Sequence, residues 1–185
     1  MPRVLVPLAE GCEELEAVTV IDLLRRAGVE VAVAGLTEGP VRASRGVVLV
    51  PDTTLDALGD EPFDMIVLPG GGPGTKRLEQ DERVLGRLRA HHASGRPVAA
   101  ICAAPGVLAA AGLLQGRRAT AYPGILEALR LPDTTLVGEP VVEDRGVITS
   151  RGPGTALDFA LHLIQVLCGP ERREGVETPL QRAGR

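Results

Sequence analysis

Aromatic side chains are scarce in this sequence, which has two phenylalanines, one tyrosine and no tryptophan among 185 residues. Single-stranded nucleic-acid binding depends on stacking bases against aromatic rings, so this composition argues against it. Basic runs are also lacking, and the net charge of −4 disfavours a partner with a phosphate backbone. We therefore expect no nucleic-acid partner.

Long apolar runs and paired cysteines are absent as well. No apolar stretch approaches the roughly 20 residues that a membrane span needs. The N-terminal segment MPRVLVPLAEGCEE lacks the apolar core of a signal peptide. The three cysteines are irregularly spaced with no CxxC pair, so neither a disulfide framework nor a zinc site is expected. These absences predict a cytoplasmic protein with reduced thiols, no metal and no membrane contact.

The residues that are abundant suit a compact globular domain. Hydrophobic residues make up 44% of the chain, and 23 glycines and 15 prolines supply turns. The length fits one domain of ordinary size, and the sequence shows neither an internal repeat nor a linker. We therefore predict a single domain over residues 1–185.

Short apolar runs alternate with helical patterns along the chain. Strands are predicted at Arg3–Ala9, Val29–Leu36 and Met65–Leu68 and in the residues of PVAAICAAPG before Cys102, with hairpins over Val41–Val50 and over VVEDRGVITS, which turns at Asp144–Gly146. Helices are predicted at Cys12–Ala27, Thr75–Ala93 with a break near Asp81, Ala104–Ala111, and Gly154–Gly169, the last buried on most sides. The polar tail allows a short helix, and residues 119–131 fit neither pattern. This alternation predicts an α/β fold with a doubly wound, mostly parallel sheet and helices on both faces.

Three unusual segments follow predicted strands: AEGCEELE, PGGGPG and CAAPG. Ligands of open α/β sheets bind at the carboxyl ends of the strands, where these segments would meet. PGGGPG is not a phosphate-binding P-loop, because Gly74 is followed by Thr75 and Lys76 instead of Lys and Ser or Thr. Its glycines indicate either a tight turn or a backbone whose N–H groups approach another group closely.

Cys102 lies where a predicted strand passes into a helix. The N–H groups and dipole of a helix start favour a thiolate, which would make Cys102 a nucleophile. The alternative is a buried structural cysteine, a common role of free cysteine. Cys168 lies in the apolar helix and is expected in the core. Cys12 lies in a loop, where it is either buried or an exposed, oxidisable thiol.

The first predicted helix opens with Glu13, Glu14 and Glu16. Carboxylates at this position pair with the helix dipole, which explains Glu13 and Glu14. Glu16 shares a stripe with Val20 and Leu23; if that stripe faces inward, its pKa is raised and it can act as a general acid or base. Periodicity does not decide the matter, because Glu13 also leads into apolar positions.

Histidines offer no partner to Cys102. His91 and His92 lie on a polar helix and are expected to face solvent, and His162 lies on the apolar one. None follows a predicted strand, so a Cys–His pair of the protease type is not indicated.

Five segments together resemble the ThiJ/PfpI superfamily, and in particular its DJ-one branch. They run in the family's order and cover nearly the whole chain: EGCEELEAVTVIDLLRRAG, ASRGVV, FDMIVLPGGGPG, AAICAAPGVLA and ITSRGPGTALDFAL. The resemblance implies a flavodoxin-like fold, a homodimer and no cofactor.

The resemblance also assigns residues to a site. It implies that Cys102 is the reactive, easily oxidised cysteine and that Glu16, when protonated, hydrogen-bonds its sulfur. The oxyanion and substrate-binding positions would be Gly70, Gly71, Ala103 and Tyr122, with the backbone N–H groups of Gly71 and Ala103 as the oxyanion donors. Residues matching the rim of the site and the dimer interface are Arg26, Arg45, Arg151 and Pro153.

Two positions depart from the family pattern. Ala103 stands where the peptidase-like branch has histidine, which counts against peptidase activity. Tyr122 stands where the DJ-one branch has a histidine near the cysteine; if that histidine assists proton transfer, the role would fall here to Glu16, to water or to the Tyr122 hydroxyl.

The activity implied is that of a stress-response protein acting on reactive aldehydes. It would be a glutathione-independent glyoxalase, converting methylglyoxal to lactate, or a protein deglycase acting on glycated proteins, or both. The alternative is a redox sensor or redox-regulated chaperone in which Cys102 is oxidised to a sulfinic acid without turnover.

Overall fold

A seven-stranded sheet forms the centre of the protein, a computed structural model that describes residues 1–59 and 62–182. Its strands are β1 (Arg3–Leu8), β2 (Glu30–Gly35), β5 (Thr53–Thr54), β6 (Met65–Leu68), β7 (Val98–Ile101), β10 (Val141–Asp144) and β11 (Val147–Ser150). Two small sheets pair β3 (Val41–Arg42) with β4 (Val48–Leu49), and β8 (Arg118–Ala119) with β9 (Thr135–Leu136). The helices are α1 (Glu14–Arg26), α2 (Gly72–Gln80), α3 (Glu82–Ala93), α4 (Pro105–Ala110), α5 (Ala156–Cys168) and α6 (Pro170–Glu177), with 3-10 turns at Glu127–Leu129, Pro153–Thr155 and Thr178–Leu180.

The strand order in the large sheet is β10-β11-β7-β6-β1-β2-β5. Every neighbouring pair is parallel except the β10–β11 hairpin. The chain winds outward from β1 in one direction through β2 and in the other through β6 and β7. This arrangement confirms the predicted doubly wound α/β fold, and it places a topological switch point between β1 and β6.

Helices cover both faces of the sheet, because successive strand residues point to opposite sides. On one face Val4 and Val6 of β1 belong to a core that includes Leu24 of α1 and Phe159 of α5. On the other face Leu5 belongs to a core built with α3 and α4. None of the helices in the described part of the chain is both long and apolar enough to cross a membrane.

Four details differ from the sequence predictions. Helix α2 begins at Gly72 instead of Thr75, because Pro73 is tolerated in a first helical turn. The short strands β5, β8 and β9 were not predicted, since two-residue pairings leave no periodicity to detect. Helix α5 is buried on one face only, with Leu157 and Val166 exposed on the other. His91 and His92 are not solvated: His91 is buried with Nε2 3.1 Å from the Pro97 carbonyl, and the partly buried His92 contacts Arg117.

Candidate active site

Two loops interlock at the switch point between β1 and β6. The backbone N–H of Glu13 donates to the Gly70 carbonyl at 2.8 Å, and that of Gly74 donates to the Gly11 carbonyl at 3.2 Å. Gly71 has φ +94°, and a Cβ on it would lie 2.4 Å from the Gly11 oxygen. Gly71 therefore fits both interpretations of PGGGPG, because it has the positive φ of a tight turn and lets the two backbones approach each other closely.

Cys102 lies at the carboxyl end of β7 in a strained conformation. Its φ of 65° places it in the left-handed region, which non-glycine residues avoid at a cost of about 1 kcal/mol. Hydrogen bonds on both sides hold it there: its N–H donates to the Ser150 carbonyl at 2.9 Å, and its carbonyl accepts from the Tyr122 N–H at 2.8 Å. The Cys102 side chain is partly buried.

Ser150 is a site residue that sequence reasoning did not identify. It ends β11, and its carbonyl fixes the Cys102 backbone because β11 pairs with β7 in parallel. Its position directly before the segment RGPGT was a sequence signal for a site residue. The pairing of β11 with β7, however, is visible only in the sheet topology.

Glu16 lies beneath the thiol in the first turn of α1, with no exposed surface. Its Oε2 accepts the Gly70 N–H at 2.8 Å, and its carboxyl also hydrogen-bonds the Cys102 thiol. No nitrogen or oxygen donor reaches the buried Oε1. Burial disfavours the charged carboxylate and raises the pKa of Glu16 to about 7. The structure thus selects Glu16 over Glu13 as the inward-facing carboxyl.

Cys102 and Glu16 form one coupled proton site. Burial, followed by the negative charge of Glu16, raises the pKa of the Cys102 thiol to about 12, while the backbone N–H groups of Gly71 and Ala103 lower it. The pKa is therefore raised, contrary to the expectation from a helix start, because burial and the charge of Glu16 outweigh the backbone N–H groups. When Glu16 is protonated its charge is removed, so the thiolate becomes easier to form.

The predicted oxyanion positions divide into two groups. The N–H groups of Gly71 and Ala103 are directed at the Cys102 sulfur. The N–H of Gly70 is not available to a substrate, because it is bonded to Glu16. A Cβ on Gly70 would lie 2.4 Å from Glu16 Oε2 and 2.6 Å from the Cys102 Cβ, so this glycine allows the pair to form.

Tyr122 is bonded to the Cys102 backbone, and Arg151 and Pro153 follow Ser150, whose carbonyl accepts the Cys102 N–H. The Tyr122 ring packs on Gly152 and is 52% exposed. Arg151 is partly buried, with Nη1 3.3 Å from the Gly138 carbonyl, and Pro153 begins the turn that leads into α5.

Arg26 and Arg45 are not brought to the thiol. Arg26 is exposed in the last turn of α1, about 15 Å along the helix from Glu16, and pairs with Asp22 at 2.7 Å. Arg45 is exposed on the turn between β3 and β4, where its N–H donates to Glu14.

The remaining acidic and thiol groups have structural surroundings. Glu14 is buried and accepts hydrogen bonds from Ser44 and from the backbone of Arg45, so it fastens the β3–β4 turn as well as opening a helix. Cys12 is buried, and burial raises its pKa to about 11, which excludes an exposed thiol. Cys168 packs against the core but is only partly buried.

A separate cavity of about 570 Å³ lies across β1 from the cysteine and is lined by Leu8, Leu36, Arg77 and Arg83, among others. It contains neither Cys102 nor Glu16. We place the candidate active site at Cys102, because a partly buried thiol, the carboxyl of shifted pKa and the paired N–H donors converge there. Within residues 1–59 and 62–182, no three His, Cys, Asp or Glu side chains group as metal ligands would.

Replacing Gly71 by alanine is expected to destabilise the protein by about 3 kcal/mol or more. The new Cβ would lie within 2.6 Å of three backbone atoms, in a φ region that alanine avoids. Gly72→Ala is the matched control, since no atom lies within 4 Å of a Cβ there. Urea unfolding measures both variants, and equal stability of the two would contradict this account of the loop contact.

Comparison with known proteins agrees with the fold and the motifs. The DJ-1/PfpI family profile matches residues 2–166. The chain is 43% identical over 173 residues to "Protein dj-1beta" of Drosophila melanogaster, covering 93% of this chain and 92% of that protein. The crystal structure of that fly protein superposes with a TM-score of 0.94 at 42% identity, covering 98% of each chain.

A further relative carries an activity in its name. "Glutathione-independent glyoxalase DJR-1.2" of Caenorhabditis elegans is 36% identical over 171 residues, covering 92% of this chain and 91% of that protein. A family profile over most of the chain and relatives of this identity and coverage assign the family without ambiguity. The chain belongs to the DJ-1/PfpI family.

Proposed function

We propose that this protein is a glutathione-independent glyoxalase that converts methylglyoxal to lactate through Cys102. The observation that carries the proposal is the contact between the Cys102 thiol and the buried Glu16, whose pKa lies near 7. A carboxyl with that pKa can both accept and release a proton at neutral pH. The name of the nematode relative supports the same reaction class.

The first step is addition of the thiol to the aldehyde carbon, C1. Glu16 as carboxylate takes the thiol proton while the bond between sulfur and C1 forms. The aldehyde oxygen becomes an alkoxide, and the N–H groups of Gly71 and Ala103, which are directed at the sulfur, can stabilise it. One such donor contributes roughly 3 kcal/mol in other enzymes. Proton transfer from Glu16 to the alkoxide completes the hemithioacetal.

The second step moves a hydrogen between carbons. The freed Glu16 carboxylate removes the proton from C1, which gives an enediolate, and returns it to C2 while the proton of the C1 hydroxyl passes to the C2 oxygen. C1 is thereby oxidised to a thioester and C2 is reduced to an alcohol, without an external oxidant. Water then cleaves the bond between C1 and sulfur, which releases lactate and regenerates the thiol. Because Glu16 has no exposed surface, the base is shielded from bulk water.

Deglycation would begin with the same chemistry. An adduct of methylglyoxal with a protein side chain presents a carbon that the thiol can attack in the same way. Access favours adducts on exposed, mobile side chains, because Cys102 is itself only partly exposed.

The test is lactate formation from methylglyoxal by freshly reduced protein without glutathione. Many lactate molecules per chain are expected. Consumption of one aldehyde per chain, with no lactate, would contradict the proposal. That outcome would favour the sensor alternative, in which the N–H groups of Gly71 and Ala103 and a protonated Glu16 hold a sulfinate on Cys102.

We also propose that two copies of the chain associate through an apolar face of α1 and the β3–β4 hairpin. Its exposed side chains are Leu15, Val18, Val47, Val48 and Val50, the last 77% exposed. Ile21, Leu49 and Val50 line a cleft of about 270 Å³ between the two elements. A contiguous apolar surface of this kind is typical of a protein–protein interface, and a second copy explains it without a further partner.

Val18→Glu is expected to convert the dimer to a monomer, because the carboxylate would be desolvated in the interface. Size-exclusion chromatography with light scattering measures the change. Leu136→Glu, at an exposed position on β9, is the matched control and should leave the mass unchanged. A dimer that survives Val18→Glu, or a monomeric wild-type protein, would contradict this assignment.

A further inference from the structure

Tyr122 is a half-exposed aromatic residue whose backbone is bonded to Cys102. The sequence contains only two other aromatic residues, Phe63 and Phe159, and both are buried in the cores. The Tyr122 side chain is half exposed, although exposure of an aromatic ring to water is unfavourable.

The backbone fixes Tyr122 beside the nucleophile. Its N–H donates to the Cys102 carbonyl at 2.8 Å, while the Cys102 N–H donates to the Ser150 carbonyl at 2.9 Å. Ser150 therefore binds the N–H of Cys102, and Tyr122 binds its carbonyl.

The Tyr122 ring contacts the segment that follows Ser150. Cδ2 and Cε2 of Tyr122 lie 3.3 Å and 3.9 Å from the point where a Cβ of Gly152 would stand. Gly152 follows Ser150 by two positions, so the ring contacts the segment whose Ser150 carbonyl accepts the Cys102 N–H. The Cδ2–Cε2 side of the ring therefore lies against Gly152, and about half of the Tyr122 side chain is exposed to solvent.

We propose that the Tyr122 ring is the wall of the substrate site that selects α-oxoaldehydes with a flat apolar group on the ketone carbon. This inference rests on the proposed function. Cys102 attacks the aldehyde carbon C1, and the inference concerns the substituent on the neighbouring ketone carbon C2. A ring already held against Gly152 loses little freedom when a second flat group stacks on it. A methyl group offers much less contact, so phenylglyoxal is expected to be preferred over methylglyoxal.

The preference depends on the ring face and not on the hydroxyl. Tyr122→Phe should therefore keep it, and Tyr122→Ala should lose it. Gly152→Ala should weaken it without changing the tyrosine, because a Cβ at 3.3 Å displaces the ring. The backbone at Gly152 is extended, with φ 165°, so alanine can adopt it.

Alkylation measures the preference without requiring turnover. Phenacyl bromide and bromoacetone carry the same phenyl and methyl groups on a ketone carbon. In each reaction the Cys102 sulfur displaces bromide, the S–C bond forms, and the thiol proton leaves to solvent. Rates are followed by intact mass in a Cys168→Ser background, with Cys12 buried, and are normalised to the rates with free cysteine.

The normalised ratio of phenacyl bromide to bromoacetone is expected to be about three- to tenfold higher in the wild-type protein and Tyr122→Phe than in Tyr122→Ala. An unchanged ratio in Tyr122→Ala would overturn the inference, as would an equal loss of rate with both reagents, which indicates a merely structural role. A lower ratio in a protein that makes no lactate would refute the glyoxalase proposal and still support the role of the ring.

Discussion

Replacing Cys102 by serine is expected to lower lactate formation from methylglyoxal at least about a thousandfold. The serine hydroxyl is a much weaker nucleophile than the thiol, and its proton is harder for Glu16 to remove. The hydrogen bonds that hold the turn involve only the backbone of residue 102, so the fold should persist. The free energy of unfolding should change by no more than about 1 kcal/mol.

Cys168→Ser is the control for the loss of a thiol. Cys168 lies at the end of α5 and takes no part in the site, so this variant should keep wild-type turnover. Lactate formation by Cys102→Ser at a rate comparable to the wild-type protein would show that the chemistry lies elsewhere.

Glu16→Gln is expected to reduce turnover by about a hundredfold or more and to increase stability at alkaline pH. The amide can still accept the Gly70 N–H but cannot carry a proton between carbons. For the wild-type protein, turnover should fall as the pH drops below about 7, because Glu16 is then protonated and cannot act as a base.

The stability effect follows from the direction of the pKa shift. Burial raises the pKa of Glu16 from 4.5 in the unfolded chain to about 7 in the folded protein, so the folded state binds the proton more tightly. The contribution of Glu16 to the free energy of unfolding is therefore fully present below pH 4.5. This contribution is lost as the pH rises to about 7. The loss amounts to about 3 kcal/mol. Glu16→Gln removes this dependence, so above pH 7 it should be the more stable protein.

Urea unfolding at pH 5 and pH 8 measures this difference. Glu13→Gln, which removes a neighbouring carboxyl that bonds Ser44, is the matched control and should retain turnover. A Glu16→Gln variant less stable than the wild-type protein at pH 8, or equally active, would contradict the assigned role.

Much of the fold could be predicted from periodicity. The strand Met65–Leu68 and the break at Asp81 match the sequence predictions, because a buried parallel strand and a capped helix start leave local signals. The short strands β8 and β9 leave none, since their pairing depends on residues distant in the sequence.

Some features of the candidate site could likewise be predicted from local sequence, and others depend on contacts between distant residues. Cys102 could be singled out from its position between a strand and a helix, but its pKa depends on Glu16, which is distant in sequence. Choosing Glu16 over Glu13 required the contact with Gly70, because both fit an amphipathic helix. The burial of Cys12 depends on a loop crossing that no local pattern encodes.

The measurement that tests the central claim most directly is the intact mass of native Glu16→Gln during incubation with methylglyoxal. Without the Glu16 carboxylate the thiol proton leaves to solvent, so this variant should form the adduct of one methylglyoxal on Cys102 more slowly, accumulate it because C1 cannot lose its proton, and release almost no lactate. The wild-type protein should lose the same adduct as lactate appears. Absence of an adduct on Cys102, or wild-type lactate release from Glu16→Gln, would contradict the account.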